Sequence, residues 1–514
     1  MAFILALIPI ILILFLMVGL QWGASRAGSA GYLCALAIAV IFFGARLRLL
    51  AYAHAKALLL AVDVLLIIWS AFLLYRVADE AGAIHRIGQA LPHLTSDPGM
   101  QALVIGWVFA TFLQGVGGFG VPVAVIAPIL VGLGFSPLAA VVIPSIGHGW
   151  AVTFGSLGSS FQALMAATGL SAETLAPYSV LFLSISGLLV GFMVAHAANG
   201  WQAVKHLLLP IAIFGIVMGF VQCLVVGAGL WNIGAFAGGM AGLVVVFPIA
   251  RRYRGEFKNS DRLDIKSLLV ALSGYLVLVV IILGVQFIPA VRSFLGRLII
   301  EVHFPEVSTS GGWLNRADFI TPAGAGRKIN VFLHTGSLLV YGSILAYLIY
   351  WKANFYQEKA LQRILSGTFI KVLPSSISIV SMISMAVIME HAGMTDILAR
   401  GLADGMGKYF PVAAPWIGAL GAFMTGSNTN SNVVFGALQM RTANLLGFRV
   451  GIILAGQTAG AALASVMAPT KVVVGASTAG MAGKEGVVMR KLFVYTGLLV
   501  LLISALTFIG AWLF

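Results

Sequence analysis

Residues 423–469 read FMTGSNTNSNVVFGALQMRTANLLGFRVGIILAGQTAGAALASVMAP. A run of small polar residues, Thr425, Ser427, Asn428, Thr429, Asn430, Ser431 and Asn432, is set here in a hydrophobic environment. The hydrocarbon core of a bilayer offers such groups no water, so protein, an ion, a solute or trapped water must satisfy them. Gly426 and the Asn/Ser run favour a turn over a continuous helix. The stretch therefore reads as the tip of a re-entrant hairpin at 412–438. A polar loop between two spans is the alternative, and a partner stretch elsewhere in the chain favours the hairpin.

The chain has 514 residues, 60% of them hydrophobic and 9% charged, with a mean hydropathy of +1.04. Apolar segments of about 18–25 residues fit bilayer spans, which excludes a soluble enzyme and indicates an all-α polytopic membrane protein. The net charge of +14 sits largely in short loops, where Lys and Arg set topology, and implies no nucleic acid. Cys34 and Cys223 lie inside apolar segments, too few for a disulfide framework or a metal site. The first 23 residues lack a basic n-region and a small-residue cleavage site, and read as a retained helix.

Spans are expected near 3–20, 29–45, 57–78, 136–158, 176–196, 206–226, 231–250, 267–288, 336–351, 367–389, 449–468 and 490–513. These make twelve transmembrane helices, joined by two re-entrant hairpins at 103–130 and 412–438 and two amphipathic pieces at 79–100 and 391–410. The two polar regions are related. Ala81-Gly82 matches Ala392-Gly393 and Phe112-Leu-Gln-Gly115 matches Phe423-Met-Thr-Gly426, each 311 residues on; Gly134-Phe135 matches Gly447-Phe448 at 313. Seven expected spans separate the hairpins, and an odd number makes the repeats inverted, as in many secondary transporters. The organisation expected is N-terminal helices over 1–78, a first repeat over 79–250 and a basic loop over 251–266. Connecting spans follow over 267–366, and a second repeat over 367–514 holds a broken helix at 449–471.

The six Lys/Arg of 251–266 mark it as cytoplasmic. Residues 45–56 carry three and argue the same, yet five crossings would separate the two. The larger cluster is taken to decide, leaving 289–335, with Glu301, Arg316, Asp318, Arg327 and Lys328, extracytoplasmic.

Several residues can carry chemistry. Gly115-Val-Gly117-Gly118-Phe-Gly120-Val-Pro122, after Gln114, lets a solute approach backbone amides, and Pro122 opens a helix whose N-terminus favours an anion. Helix packing is the other use of such glycines. No strand or acidic ribose ligand accompanies them, so a dinucleotide site is excluded. The span after each hairpin breaks as well, at Pro144–His148 with Thr153, Ser156, Ser159 and Ser160 beyond, and at Gln457-Thr458 and Ser465–Lys471. His148 either carries a coupling proton or bonds a carbonyl freed by Pro144 or Gly147. Lys471 either pairs with a substrate carboxylate or snorkels to the interface. Arg441 and Arg449 suit solvent or headgroups, and intramembrane Asp63 suits either a basic partner or a proton. No paired intramembrane carboxylates, HExxH motif or Ser/His pairing suggests an enzyme.

FLQGVGGFGVPVAVIAPILVGLGFSPLAA (112–140) resembles the N-terminal motif of the L-lactate permease family, and GSNTNSNVVFGALQ (426–439) with GKEG (483–486) resembles its C-terminal motif. The likeness runs collinearly over the whole chain. It implies an inner-membrane, proton-coupled importer of small 2-hydroxymonocarboxylates such as lactate and glycolate, without cofactor or metal. The Ser427–Thr429 run resembles hairpin tips of a wider ion-transporter superfamily, which implies an elevator motion and leaves a homodimer open. Departures are Gln114 for an acid, Asn428 and Asn430 within the tip, and His148-Gly149 for an Asn-Thr pair.

The reading is a secondary active transporter of a small organic anion. Its carboxylate would meet Ser427, Asn428, Thr429, Lys471 and the amides of both tips, at Gly117, Gly118 and Gly120. Gln457, Thr458 and Ser156 would contact a hydroxyl; Gln114, Asn430, Ser431 and Asn432 complete the set; His148 would carry the proton. The alternative is a sodium-coupled or antiporting carrier of another organic anion, such as a sulfonate or dicarboxylate. A passive channel would need a continuous polar path instead of broken repeats.

Overall fold

Runs of Leu, Ile, Val and Ala in a membrane satisfy their backbone within the segment, so helices form wherever proline and glycine clusters do not interrupt them. The computed structural model describes residues 1–20, 22–118, 120–253, 265–314, 318–325 and 329–513. Among the described residues nine helices are long and apolar enough to cross a membrane, or ten if Leu269–Val285 and Pro289–Leu295 form one bent span. Three of the twelve expected crossings are not among these: 3–20 and 136–158 are the shorter pieces Ala2–Met17 and Pro137–Gly149, and 336–351 is Thr335–Lys352, whereas Pro98–Val116, expected inside a hairpin, is long enough to count.

Two strings of elements follow one order. Leu47–Glu80, Ala83–Ala90, the hairpin arms Pro98–Val116 and Val121–Gly132, then Pro137–Gly149, Ser159–Thr168 and Ala172–His206 form the first. Ala360–His391, Met394–Met406, Phe410–Thr425, Asn428–Leu446, Val450–Ala464, Pro469–Thr478 and Glu485–Leu513 form the second. The turns agree too. Gly82 and Gly393 (φ 67° and 75°) precede the amphipathic helices, and Gly134 and Gly447 (φ 91° and 73°) follow the second hairpin arms.

Packing between the strings is reciprocal. Val121–Gly132 lies against Pro469–Thr478, and Asn428–Leu446 against Ser159–Thr168. Ala172–His206 packs on Val450–Ala464, and Glu485–Leu513 on Pro137–Gly149. Each broken helix thus completes the hairpin of the other half. Within each half, glycines bring hairpin and broken helix together backbone to backbone. A Cβ on Gly147 would strike the carbonyl of Gly106, and one on Gly460 that of Pro415, the close approach that small residues permit in membranes.

Around this unit, Ala24–Phe43 packs on Ala360–His391 and Thr335–Lys352 on Leu47–Glu80. Asp63 is buried where Leu47–Glu80 meets the rest. Its carboxylate accepts from Gln162 Nε2 at 2.6 Å and from His334 Nε2 at 3.0 Å. His334 Nδ1 accepts from the Gly336 amide, which places the ring proton on Nε2. Of the two roles open to Asp63, the partnered one is therefore met.

One feature interrupts the helical pattern. Short strands pair as a nested antiparallel ribbon, Ile299–Ile300 with Ile329–Asn330, His303–Phe304 with Gly324–Ala325 and Val307–Ser308 with Ile320–Thr321. Two-residue strands leave no periodicity to read in a sequence. The ribbon is fastened to the end of Ala24–Phe43, where the Ser310 amide donates to Gly44 O at 2.9 Å and Arg46 Nε to Ser310 O at 3.2 Å. Residues 254–264 of the basic loop, with Arg316, Arg327 and Lys328, lie outside the described residues.

Arg441 has a protein partner in place of the expected solvent or headgroup. Asp396, on the amphipathic helix Met394–Met406, accepts from Arg441 Nη2 at 2.7 Å and from Arg400 Nε at 2.8 Å. Burial alone would raise the Asp396 carboxyl, but the hydrogen bonds from Arg400 and Arg441 outweigh it and hold it below the ordinary range. A depressed carboxylate contributes stability that is complete above its unfolded pKa and is lost as pH falls through the folded one. The gap in melting temperature between wild type and Asp396→Asn should therefore narrow as the detergent-solubilised protein is taken from about pH 6 to about pH 3.5. A gap that stays constant would mean that the cluster does not tie the linker helix to the hairpin.

Candidate functional site

The second tip is built by three local devices. Phe410–Thr425 ends on Gly426 (φ 69°), where a Cβ would come within 2.5 Å of Thr470 Oγ1. Ser427 is extended and its Oγ accepts from the Asn430 amide at 3.2 Å, capping Asn428–Leu446. Thr425 Oγ1 folds back to Gly421 O at 2.8 Å. The helix therefore starts with its free N–H groups and a row of amides at the break.

Those amides reach elements of both halves. Asn428 Nδ2 donates to Thr153 Oγ1 at 3.1 Å, and Thr153 donates to Thr458 O at 3.3 Å. One turn on, Asn432 Nδ2 donates to Ser160 O and to Thr458 Oγ1, both at 3.0 Å. Ser160 Oγ meets Thr429 Oγ1 at 3.0 Å, and Asn430 Nδ2 donates to Ser378 Oγ at 3.1 Å. With the asparagine donors committed, Oδ1 of Asn428, Asn430 and Asn432, like Oε1 of Gln114, is buried without a protein partner among the described residues. Buried acceptors of this kind call for water or a polar solute.

The first tip meets its own broken helix. Gly118 (φ 61°) is required because a Cβ there would occupy the place of Ser156 Oγ, while Gly120 (φ 83°) faces open space. Ser156 and Leu157 take left-handed backbone (φ 47° and 53°) without being glycine. Each such residue costs of order 1–3 kcal/mol, and such strain collects at functional sites.

Between these parts lies a cavity of about 370 Å³. Of the expected residues it gathers Gln114, Gly120, Ser156, Ser427, Asn428, Thr429, Asn430 and Lys471 on its walls. Gly117 and Gly118 shape the tip behind it. Ser431, Asn432, Gln457 and Thr458 form a fully buried layer behind the second tip. There Gln457 Nε2 donates to Ser431 Oγ at 3.1 Å, Gln439 donates to Gln457 Oε1, and Ser431 donates to Gly418 O at 2.7 Å. His148 also lies off the cavity wall, fully buried, with Nδ1 at 2.6 Å from Pro144 O.

The cavity's charge is one-sided. Two lysines, Lys371 and Lys471, line it, and among the described residues no aspartate, glutamate or histidine does. Lys471 Nζ donates to Ser465 Oγ at 3.1 Å, and no carboxylate pairs with it among the described residues. Sequence reading missed the wall supplied by Ala360–His391, where Lys371, Pro374, Ser375 and Ser378 line the cavity. The signal was a polar stripe at i, i+4 and i+7 around a proline, inside what otherwise reads as a plain span.

Residues 2–514 match the family pattern described as L-lactate permease. The chain belongs to the L-lactate permease family. It is 26% identical to the L-lactate permease of Bacillus subtilis, over 98% of this chain and 95% of that one. It is 25% identical to the glycolate permease of Escherichia coli, over 99% and 95%. Its fold is similar to that of the YdaH transporter of Alcanivorax borkumensis, with a TM-score of 0.51, 12% identity and coverage of 90% and 89%. As a member of the L-lactate permease family it is a multi-pass inner-membrane protein, in a family of permeases and not enzymes. The stretches that resemble the L-lactate permease motifs, 112–140 and 426–439, supply the two tips that meet at the cavity.

Proposed function

We propose that this protein imports a small 2-hydroxymonocarboxylate, lactate or glycolate, by proton symport with alternating access. One observation carries the reading: the polar lining of the cavity between the broken elements is two lysines, hydroxyls and amides, with no carboxylate among the described residues. A carboxylate there gains charge-assisted hydrogen bonds in surroundings poorer in water than the bulk. The volume, about 370 Å³, corresponds to roughly twelve water volumes of ~30 Å³, ample for a two- or three-carbon acid with a few waters.

In this reading Lys471, with two N–H bonds beyond the one to Ser465, meets the carboxylate beside Ser427, Asn428 and Thr429. Ser156 and Gln114 take the 2-hydroxyl. Ser431, Asn432, Gln457 and Thr458 hold the second tip in place from behind. Hydrogen bonding to Pro144 O fixes the His148 proton on Nδ1, because a carbonyl only accepts. Nε2 is left buried with no partner among the described residues, the one ring position to which a coupling proton would add. The repeated order and reciprocal packing support two inverted halves that expose the site to either side in turn, by an elevator motion.

Uptake of labelled lactate and glycolate into proteoliposomes tests this. A proton gradient, alkaline inside, should drive accumulation; His148→Ala should abolish accumulation while leaving substrate exchange. Accumulation driven by sodium alone would remove His148 from the mechanism. Uptake of neither acid under either gradient would overturn the proposal.

A further inference from the structure

We infer that Lys371 is a second anion-binding residue, which captures the incoming acid and extends the site's reach to small dicarboxylates. The inference rests on the reading that this cavity takes carboxylates. Lys371 lies on Ala360–His391, an element separate from the one that bears Lys471. Its helix presents two different sides here. Phe369, Ile370, Leu373 and Ile377 are exposed apolar residues suited to lipid. Lys371, Ser375 and Ser378 share the cavity side, which the hydrogen bond from Asn430 to Ser378 ties to the hairpin tip.

A snorkelling lysine needs only a long stem and a nearby headgroup region. That account does not explain why Lys371 lines the cavity on the same side as Ser375 and Ser378, beside a proline, with no carboxylate paired to it among the described residues. Ionisable residues within spans are costly and mark solute paths. Of the two lysines, Lys371 is exposed and Lys471 half-buried, so an entering anion meets Lys371 first. Two ammonium groups around an acid-free space also carry one more positive charge than a monocarboxylate neutralises. A four-carbon hydroxydicarboxylate such as malate supplies the second carboxylate.

Lactate uptake kinetics with malate and glycolate as competitors test this. Lys371→Gln should raise the lactate KM about tenfold, the worth of one charge-assisted hydrogen bond, with Vmax within about twofold. It should weaken inhibition by malate far more than by glycolate, and Lys371→Arg should restore both. An unchanged KM and unchanged malate inhibition in folded Lys371→Gln would overturn the inference while leaving lactate transport intact. If wild type moves neither lactate nor glycolate, the proposed function fails by itself. Thermal stabilisation of the purified proteins by malate then decides: a larger shift in wild type than in Lys371→Gln supports the assignment, and equal or absent shifts overturn it.

Discussion

Lys471→Gln should abolish concentrative uptake, lowering its rate about a hundredfold or more, the effect of removing a charged hydrogen-bond donor from a carboxylate in a site of low water content. The variant should nonetheless fold. Within the protein Lys471 bonds Ser465 Oγ, and that hydroxyl also donates to Ala462 O at 2.9 Å, so no buried group loses its last partner. An unchanged melting temperature together with lost uptake separates a substrate contact from a structural prop. Lys471→Arg should retain part of the activity, since charge and donors persist in a less compact group. Wild-type uptake by Lys471→Gln would place the carboxylate elsewhere, and the neutral donors of the second tip would then be the whole anion site.

Much of this arrangement was legible in the sequence because membranes restrict the choices. A polar run such as Ser427–Asn432 between apolar segments has few physical outcomes, and the helix ends at Val116 and Thr425 fall beside the Gly and Asn/Ser clusters read in the sequence. The 311–313 offset read from three landmarks extends in the structure to seven elements in each half, whose starts lie 307–313 residues apart. Span counting was weaker. Pro137–Gly149 is too short to cross and Pro98–Val116 long enough, because hydropathy reports burial in protein as readily as burial in lipid. Pro98–Val116 is wholly buried among other helices, where an apolar sequence serves equally well.

The site was legible in its residue types and less so in its layers. Asn428 and Asn432 are one turn apart, yet Asn428 lines the cavity and Asn432 does not. That difference depends on where Ser160 and Thr458 stand, which local pattern cannot tell. Lys371 escaped notice because a lone lysine in an apolar span reads as a topology signal until its Ser375 and Ser378 neighbours are seen to share its face. The left-handed Ser156 and Leu157 were equally invisible: nothing in Gly155-Ser-Leu-Gly158 distinguishes a strained break from a flexible one. Ser156 Oγ fits only because Gly118 has no side chain, so the two breaks of the first half are shaped to one another.

Gly460→Ala should cost the fold as well as the function, and Gly147→Ala should do the same in the other half. At both positions a Cβ would run into backbone carbonyl oxygen of the facing hairpin arm, Pro415 for Gly460 and Gly106 for Gly147. Backbone within a packed helix cannot rotate aside as a side chain can, so the arm must move. Overpacking of this kind costs about 1–3 kcal/mol, occasionally more. The displaced arm carries Gln114 in the first half and ends at Gly426 in the second, so uptake should fall with the melting temperature. Gly497→Ala provides the comparison. It lies in Glu485–Leu513 with no atom within 4 Å of its would-be Cβ, and replacing a helical glycine in open space gains up to about 1 kcal/mol. Folded yield, melting temperature and lactate uptake of the three variants, measured side by side, separate close helix approach from a general intolerance of alanine. If Gly147→Ala and Gly460→Ala match wild type in all three, hairpin and broken helix do not touch, and the glycines serve only as breaks in the helix. If only one of them fails, the two halves are held by different contacts despite their common order. Failure of both, beside a neutral Gly497→Ala, would mean that each half docks its hairpin through the same glycine contact, the rigidity a cavity shared between two halves requires if they are to move past one another without opening it.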